Sequence, residues 1–115
     1  MRIERYDFGH IVIEGQSYRS DVILLPDRVI PNWRREQGHS LSPYDLQDVV
    51  QAQEQVDTLI VGTGAYGMMD VPSETRCYLQ EQGIQVIIRR TGSAVEEYNR
   101  RRVDQPVAAA LHLTC

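Results

Sequence analysis

The sequence predicts one α/β domain of three layers, in which an N-terminal antiparallel β-meander precedes a βαβαβ segment with a mixed, largely parallel central sheet. First, 115 residues are enough for one hydrophobic core but not for two. Second, β-branched and aromatic segments interrupted by glycine and proline fill the first third of the chain. Third, short apolar runs alternate with helical patterns in the remainder. We therefore expect a single domain over residues 1–115.

The composition is that of an ordinary globular chain, with 42% hydrophobic and 24% charged residues. The longest apolar runs, such as Val107 to Leu111, are far shorter than the roughly 20 residues of a membrane helix. The first five residues mix charges and lack the apolar core of a secretory signal. These features predict a cytoplasmic protein without membrane insertion.

The charge pattern narrows the classes of function. The net charge of −4 repels nucleic acid, so a DNA or RNA partner is not expected. All 12 basic residues are arginine, which excludes mechanisms that require a lysine nucleophile or a phosphate-loop lysine. The two cysteines, Cys77 and Cys115, do not indicate a disulfide scaffold.

The N-terminal third is predicted to be antiparallel β-structure. Tyr6–Glu14 and Ser17–Leu25 are rich in strand-forming residues and are separated by a Gly-Gln turn, which predicts a β-hairpin. Val29–Trp33 predicts a short third strand. Pro31 within it confines that strand to the edge of a sheet, because proline has no N–H to donate.

The middle of the chain predicts a helix, a buried strand and a second helix. Ser42 and Pro43 are typical of a helix start, and apolar residues recur at helical spacing until about residue 55. Thr58–Gly62 is a short apolar run ending in glycine, as in buried parallel strands. Pro72–Gln82 predicts the next helix, with Gly83 as its left-handed stop.

The C-terminal part repeats the pattern. Ile84–Ile88 predicts a buried strand, Ser93 and Glu96 form the capping box of a helix that continues to about Arg102, and Val107–Leu113 predicts the last strand. Because β-α-β crossovers give parallel strands, the carboxyl ends of these strands are expected at one edge of the sheet. We call this edge the carboxyl edge.

The carboxyl edge is where open parallel sheets bind ligands, since loops diverge there and helix N-termini point inward. A glycine-rich loop, a helix start beside an arginine and the end of the last strand meet there and could hold a small anion. The candidate ligand-binding residues are Gly62, Thr63, Gly64, Tyr66, Arg90, Thr91, Ser93, His112 and Cys115.

The run from Gly62 to Gly67 matches the G-x-G-x-x-G pattern of dinucleotide-binding proteins, but weakly. The predicted helix begins only near Pro72, and Arg89 and Arg90 stand where a ribose-binding acid is expected. We therefore predict no cofactor. A turn that needs glycine only for its backbone geometry is the simpler interpretation.

Other chemistry-bearing residues do not form a complete constellation. His112 and Cys115 supply two groups for a metal site or a nucleophile, but Cys77 and His39 lie far away in the sequence. No catalytic residue and no metal site is therefore assigned, and whether the protein is an enzyme is left open. Trp33, Arg34 and His39 form a candidate partner surface, although tryptophan is more often part of a core.

Many short motifs in a fixed order make the chain resemble a known family. They are Tyr18-Arg19-Ser20-Asp21, Trp33-Arg34, Gly38-His39-Ser40, Gly62-Thr63-Gly64, Val71-Pro72-Ser73, Gly83-Ile84-Gln85-Val86, Tyr98-Asn99, Val107-Ala108-Ala109 and His112-Leu113-Thr114-Cys115. The chain resembles, over essentially its whole length, the small domain of unknown function shared by prokaryotic stand-alone proteins, an animal adipogenesis-associated protein and the third assembly factor of mitochondrial complex I.

The resemblance implies a compact three-layer α/β domain without established catalytic residues. It favours a non-enzymatic protein-binding or assembly module whose partner is another protein, a homodimer also being considered. The alternative is a protein or enzyme that binds a small anionic ligand at the carboxyl edge.

Overall fold

The computed structural model describes all 115 residues. The strands are β1 (Ile3–Asp7), β2 (His10–Ile13), β3 (Gln16–Tyr18), β4 (Val22–Leu25), β5 (Arg28–Ile30), β6 (Thr58–Thr63), β7 (Gln85–Arg89) and β8 (Val107–His112). The helices are α1 (Gln47–Gln51), α2 (Ser73–Glu81) and α3 (Thr91–Arg101), and 3-10 turns at Pro43–Leu46 and Gln53–Gln55 flank α1. No helix has the length and apolar character needed to cross a bilayer.

The strands form two sheets. β1, β2 and β3 make an antiparallel three-stranded sheet, and the second sheet has five strands in the order β5-β4-β8-β6-β7. In the five-stranded sheet, β6 pairs in parallel with β7 and β8, whereas β4 pairs antiparallel with β5 and β8. The predicted mixed α/β fold is confirmed, with β5 at an edge as expected from Pro31.

The five-stranded sheet is the middle of three layers, because its strands bury side chains on both faces. In β6, Ile60 packs with the three-stranded sheet and α3, whereas Leu59 and Val61 pack against α1 and α2. β8 is fully buried along its length and is apolar apart from His112 at its end. This continuous burial explains why β6 and β8 are uninterrupted apolar runs in the sequence.

The predicted N-terminal β-hairpin of two long strands is wrong, because each of the two predicted segments forms two strands. Tyr6–Glu14 is not one strand, since Gly9 adopts a φ of +72° in a tight turn between β1 and β2. Ser17–Leu25 is also divided: β3 completes the three-stranded sheet, and β4 belongs to the five-stranded sheet. The chain changes sheets at residues 19–21, where polar residues separate a half-exposed strand from a fully buried one.

The first predicted helix is shorter than expected. Ser42 caps it as predicted, because its hydroxyl accepts from Tyr44 N–H while the Asp45 carboxylate accepts from Ser42 N–H. Its first turn is 3-10, and only Gln47–Gln51 is α-helical. The left-handed stop at Gly83 after α2 is confirmed, with a φ of +81°.

The last helix begins earlier than the predicted capping box at Ser93. α3 starts at Thr91, preceded by Arg90 in extended geometry, and Ser93 lies exposed in its first turn. The predicted meeting of strand ends is confirmed by the register of the sheet. Thr63 at the end of β6 lies opposite His112 at the end of β8.

Candidate functional site

The most unusual group of side chains is a buried ionic cluster of Asp21, Arg35 and His112. Asp21 Oδ2 accepts from Arg35 Nη2 at 2.9 Å and from His112 Nδ1 at 2.8 Å. Asp21 Oδ1 accepts from Leu113 N–H at 2.7 Å. The side chains of Arg35, His112 and Asp21 are only 5%, 7% and 16% exposed. Asp21 thereby ties together the sheet crossing at residue 21, the segment containing Arg35 and the end of β8.

The Asp21 carboxyl group is held in its charged form. Burial by itself raises its pKa, but the hydrogen bonds from His112, Leu113 and Arg35, together with the electrostatic effect of His112, outweigh burial. The net effect holds the pKa of Asp21 below its ordinary value. The cluster therefore contains a carboxylate and a guanidinium whose charges cancel at neutral pH.

Arg35 is fixed on three sides. Its guanidinium lies 4.7 Å from the centre of the Trp33 ring, which is cation–π distance. Its Nε donates to Gly38 O at 3.1 Å, and its Nη2 donates to Asp21. The remaining nitrogen, Nη1, is buried and has no hydrogen-bond partner.

His112 is oriented by its Nδ1. A carboxylate can only accept, so the Nδ1 hydrogen points at Asp21 and the Nε2 atom faces the other way. Nε2 is buried without a partner. The ring of His39 lies edge-on to the His112 ring, with 5.9 Å between the ring centres. His112 thus has one nitrogen committed to structure and one nitrogen unused.

The glycine-rich loop after β6 is closed by the chain itself. Main-chain carbonyl groups of Thr114 and Cys115 accept from the N–H groups of Ala65 at 2.6 Å and Met68 at 2.9 Å. Gly64 N–H donates to the Thr91 hydroxyl at 2.8 Å. Because these amides are used internally, they do not form the open anion cradle of a nucleotide-binding loop.

Two of the predicted glycines are explained by close packing. A Cβ at Gly62 would lie 2.8 Å from Thr91 Oγ1 and 2.9 Å from Leu111 Cδ2. Gly64 has a φ of +107°, and a Cβ there would overlap the main-chain carbonyl of Cys115 and lie 2.9 Å from His112 Cδ2. These glycines let β6 approach α3 and let the C-terminal segment fold over the loop.

The other predicted ligand residues lie at the same edge, as their strand positions require, but they differ in accessibility. Thr63 is buried and donates from its hydroxyl to Arg89 O, and Thr91 is buried and donates to His112 O. The side chain of Arg90 packs against Gly67. The exposed members are Tyr66, Arg90, Ser93 and Cys115.

The predicted partner surface of Trp33, Arg34 and His39 is only partly at the surface. Arg34 and His39 are exposed, but Trp33 is 7% exposed and its indole N–H donates to Asp45 O at 2.9 Å. Trp33 therefore packs in the core, and its ring stacks against the Arg35 guanidinium.

An exposed apolar surface lies at the carboxyl edge beside the closed loop. Phe8 in the β1–β2 turn and Tyr66 in the loop after β6 are 55% and 64% exposed, and their ring centres are 6.1 Å apart. Met68, two residues after Tyr66, is 57% exposed. We call Phe8, Tyr66 and Met68 the aromatic patch.

No group of three or more histidine, cysteine or acidic side chains is arranged to hold a metal ion. Cys77 and Cys115 are both free and exposed.

Asp21 and Arg35 were not among the residues singled out from the sequence as a site. They lie 91 and 77 residues from His112, so no local pattern connects them. The one sequence signal is the polar run before Val22, which places an isolated acid directly before a fully buried strand.

The fold and this edge define a class of protein: a small three-layer α/β domain whose solved relatives carry little functional description. The chain is 27% identical to a conserved hypothetical protein of Pyrococcus horikoshii, with a TM-score of 0.83 and full coverage of both chains at 100%. It is 35% identical to a protein of Rhodopseudomonas palustris, with a TM-score of 0.71, covering 95% of this chain and 80% of that one. A Bartonella henselae protein described as an outer membrane protein is 27% identical, with a TM-score of 0.85 and coverages of 98% and 94%.

The family follows from a match over nearly the whole sequence. Residues 3–112 match the model of a protein family of unknown function, DUF498/DUF598. The chain belongs to this family, and the family resemblance expected from the sequence is confirmed to that extent.

Proposed function

We propose that this chain is a non-enzymatic protein-binding module of the cytoplasm that takes part in assembling other proteins, and that its partner docks on the aromatic patch. The observation that carries the proposal is the exposure of Phe8, Tyr66 and Met68 by more than half, on two different elements at one edge. Aromatic residues and methionine are enriched where proteins bind other proteins. Exposed apolar clusters on small domains commonly mark such surfaces.

Two further observations support a protein partner. The amides of the neighbouring loop are consumed by the C-terminal segment, so this edge offers apolar side chains in place of a phosphate cradle. The net charge of −4 disfavours a nucleic-acid partner. The resemblance to the adipogenesis-associated protein and to the complex I assembly factor agrees with an assembly role.

The experiment compares tagged wild-type protein with the double variant Phe8→Ser/Tyr66→Ser and with the control Val103→Ser. Val103 is the most exposed large apolar side chain, at 75%, and lies outside the aromatic patch. We expect the same partner to co-purify with the wild type and the control but not with the double variant. Partner recovery that is equal for all three proteins, or absent for all three, would contradict the proposal. Light scattering of the same samples tests whether a second copy is the partner.

A second candidate function is the binding of a small anionic ligand at the carboxyl edge. One observation favours it: Arg35 Nη1 and His112 Nε2 are buried without hydrogen-bond partners. Among the residues predicted from the sequence, His112 is the one this observation supports.

A further inference from the structure

Two unpartnered nitrogen atoms distinguish the Asp21–Arg35–His112 cluster from an ordinary buried ion pair. Arg35 Nη1 and His112 Nε2 are both buried and form no hydrogen bond. The side chains that carry them are only 5% and 7% exposed. A buried donor or acceptor without a partner is costly, and more so when it is charged. Such groups are rare in native proteins, and two in one cluster call for a functional explanation.

The charges of the cluster indicate what kind of group it accepts. Asp21 neutralises Arg35, so the cluster has no net charge while His112 is neutral. Once Nε2 is protonated, the cluster carries one positive charge and offers two kinds of free N–H, from Arg35 and His112. A monoanionic carboxylate matches that charge, whereas a dianionic phosphate would leave one buried negative charge unpaired.

We propose that Arg35 and His112, held in place by Asp21, bind the carboxylate group of a small organic acid together with one proton. This proposal develops the second candidate function and does not depend on the protein partner. It names Arg35, which the sequence-based site did not contain, as the principal binding residue.

The segment from residue 34 to 40 covers this site from one side. It is anchored at both ends by buried residues, Trp33 and Leu41, while most of its own residues are exposed. It carries Arg35, and the exposed ring of His39 lies against His112. Because Arg35 and His112 are almost inaccessible, an acid reaches them only when this segment moves outward.

Binding should depend on pH, because a carboxylate that enters a buried cluster without net charge is most stable there together with a proton. The charged and titratable groups around its ring are Asp21, Arg35 and His39, while the main chain of Cys115 lies on the Gly64 side. Asp21 stays ionised across the range because its pKa is lowered. Because the site takes up one proton with each carboxylate, carboxylate affinity is expected to be higher at pH 5.5 than at pH 7.5.

The test is a ¹H–¹⁵N NMR titration of the full chain with sodium acetate, sodium phosphate and sodium chloride at constant ionic strength, at both pH values. We expect saturable acetate-dependent shifts at Gly38, His39 and Leu113, weaker effects of phosphate and none of chloride. Arg35→Gln should weaken acetate binding at least tenfold. Arg28→Gln, which removes an exposed arginine of β5 outside the site, should leave it unchanged.

The wild-type titration decides the question even if Arg35→Gln does not fold. Shifts that do not saturate, that chloride reproduces, or that ignore residues 35–39 and 112–113 would overturn the site. Equal acetate affinity in folded Arg28→Gln and Arg35→Gln would also overturn it. Because no partner protein is present, failure here is separate from failure of the protein-binding role.

Discussion

Replacing Asp21 by asparagine should destabilise the protein strongly at neutral pH. The carboxylate accepts three hydrogen bonds, and asparagine cannot accept all of them or balance the charge of buried Arg35. Breaking a buried ion pair by removing one partner costs about 3–5 kcal/mol. Since Asp21 keeps 16% exposure, we expect a loss of about 3 kcal/mol in the free energy of unfolding, a fall in Tm of roughly 10–20 °C.

The loss should shrink in acid. The pKa of Asp21 is lower in the folded protein than in the unfolded chain, so the unfolded chain binds the proton first as pH falls. The stabilisation by Asp21 is therefore complete above the unfolded pKa of about 4 and is lost as pH falls through the folded pKa. Urea unfolding of wild type and Asp21→Asn at pH 7 and pH 3 measures both differences.

The control is Asp27→Asn. Asp27 pairs only with Arg28, and both side chains are more than half exposed, so this substitution should change stability by less than about 1 kcal/mol. The reasoning is refuted if Asp21→Asn costs no more than Asp27→Asn at pH 7. It is also refuted if the cost of Asp21→Asn is undiminished at pH 3.

Two further predictions concern other buried positions. Burial raises the pKa of Tyr98 to about 12, while the charge of Arg102 lowers this pKa and that of Glu14 raises it. Because the tyrosine ionises first in the unfolded chain, the free energy of unfolding should fall between pH 10 and 12. Tyr98→Phe should remove roughly 2–3 kcal/mol of that fall in urea unfolding at pH 9.5 and 12, and an unchanged slope would contradict the assignment. Gly64→Ala should cost at least about 2 kcal/mol more than Gly15→Ala in thermal unfolding. Both glycines have positive φ, but only at Gly64 does a Cβ meet main-chain atoms. Equal losses of stability in the two variants would mean that the loop after β6 can move away from the Cys115 main chain to make room for the Cβ.

The second half of the fold was predictable because its signals are local and redundant. β6 and β8 are buried on both faces, and a continuous apolar run is the direct consequence. Ser42 and Gly83 act through hydrogen bonds or backbone geometry within a few residues. The first half was divided wrongly, because a strand composition does not reveal the Gly9 turn or which sheet a strand joins.

The candidate site was predictable only in part, because local sequence patterns place some of its residues but not others. Parallel topology correctly brought Thr63 and His112 to one edge. Asp21 and Arg35 reach that edge through the antiparallel β4 and a loop without regular structure, and neither placement follows from local spacing. Their partners are set by tertiary contacts alone.

The position of β8 has a consequence for how the protein is made. The last strand in the sequence lies in the middle of the sheet, where it joins β4 to β6. Before it leaves the ribosome, the β4–β5 ribbon and the β6–β7 pair have no shared partner, and β4 and β6 each lack the strand that pairs with one of their edges. Long-range pairing of this kind folds slowly and exposes apolar surface meanwhile. Assembly of the five-stranded sheet must therefore follow completion of β8.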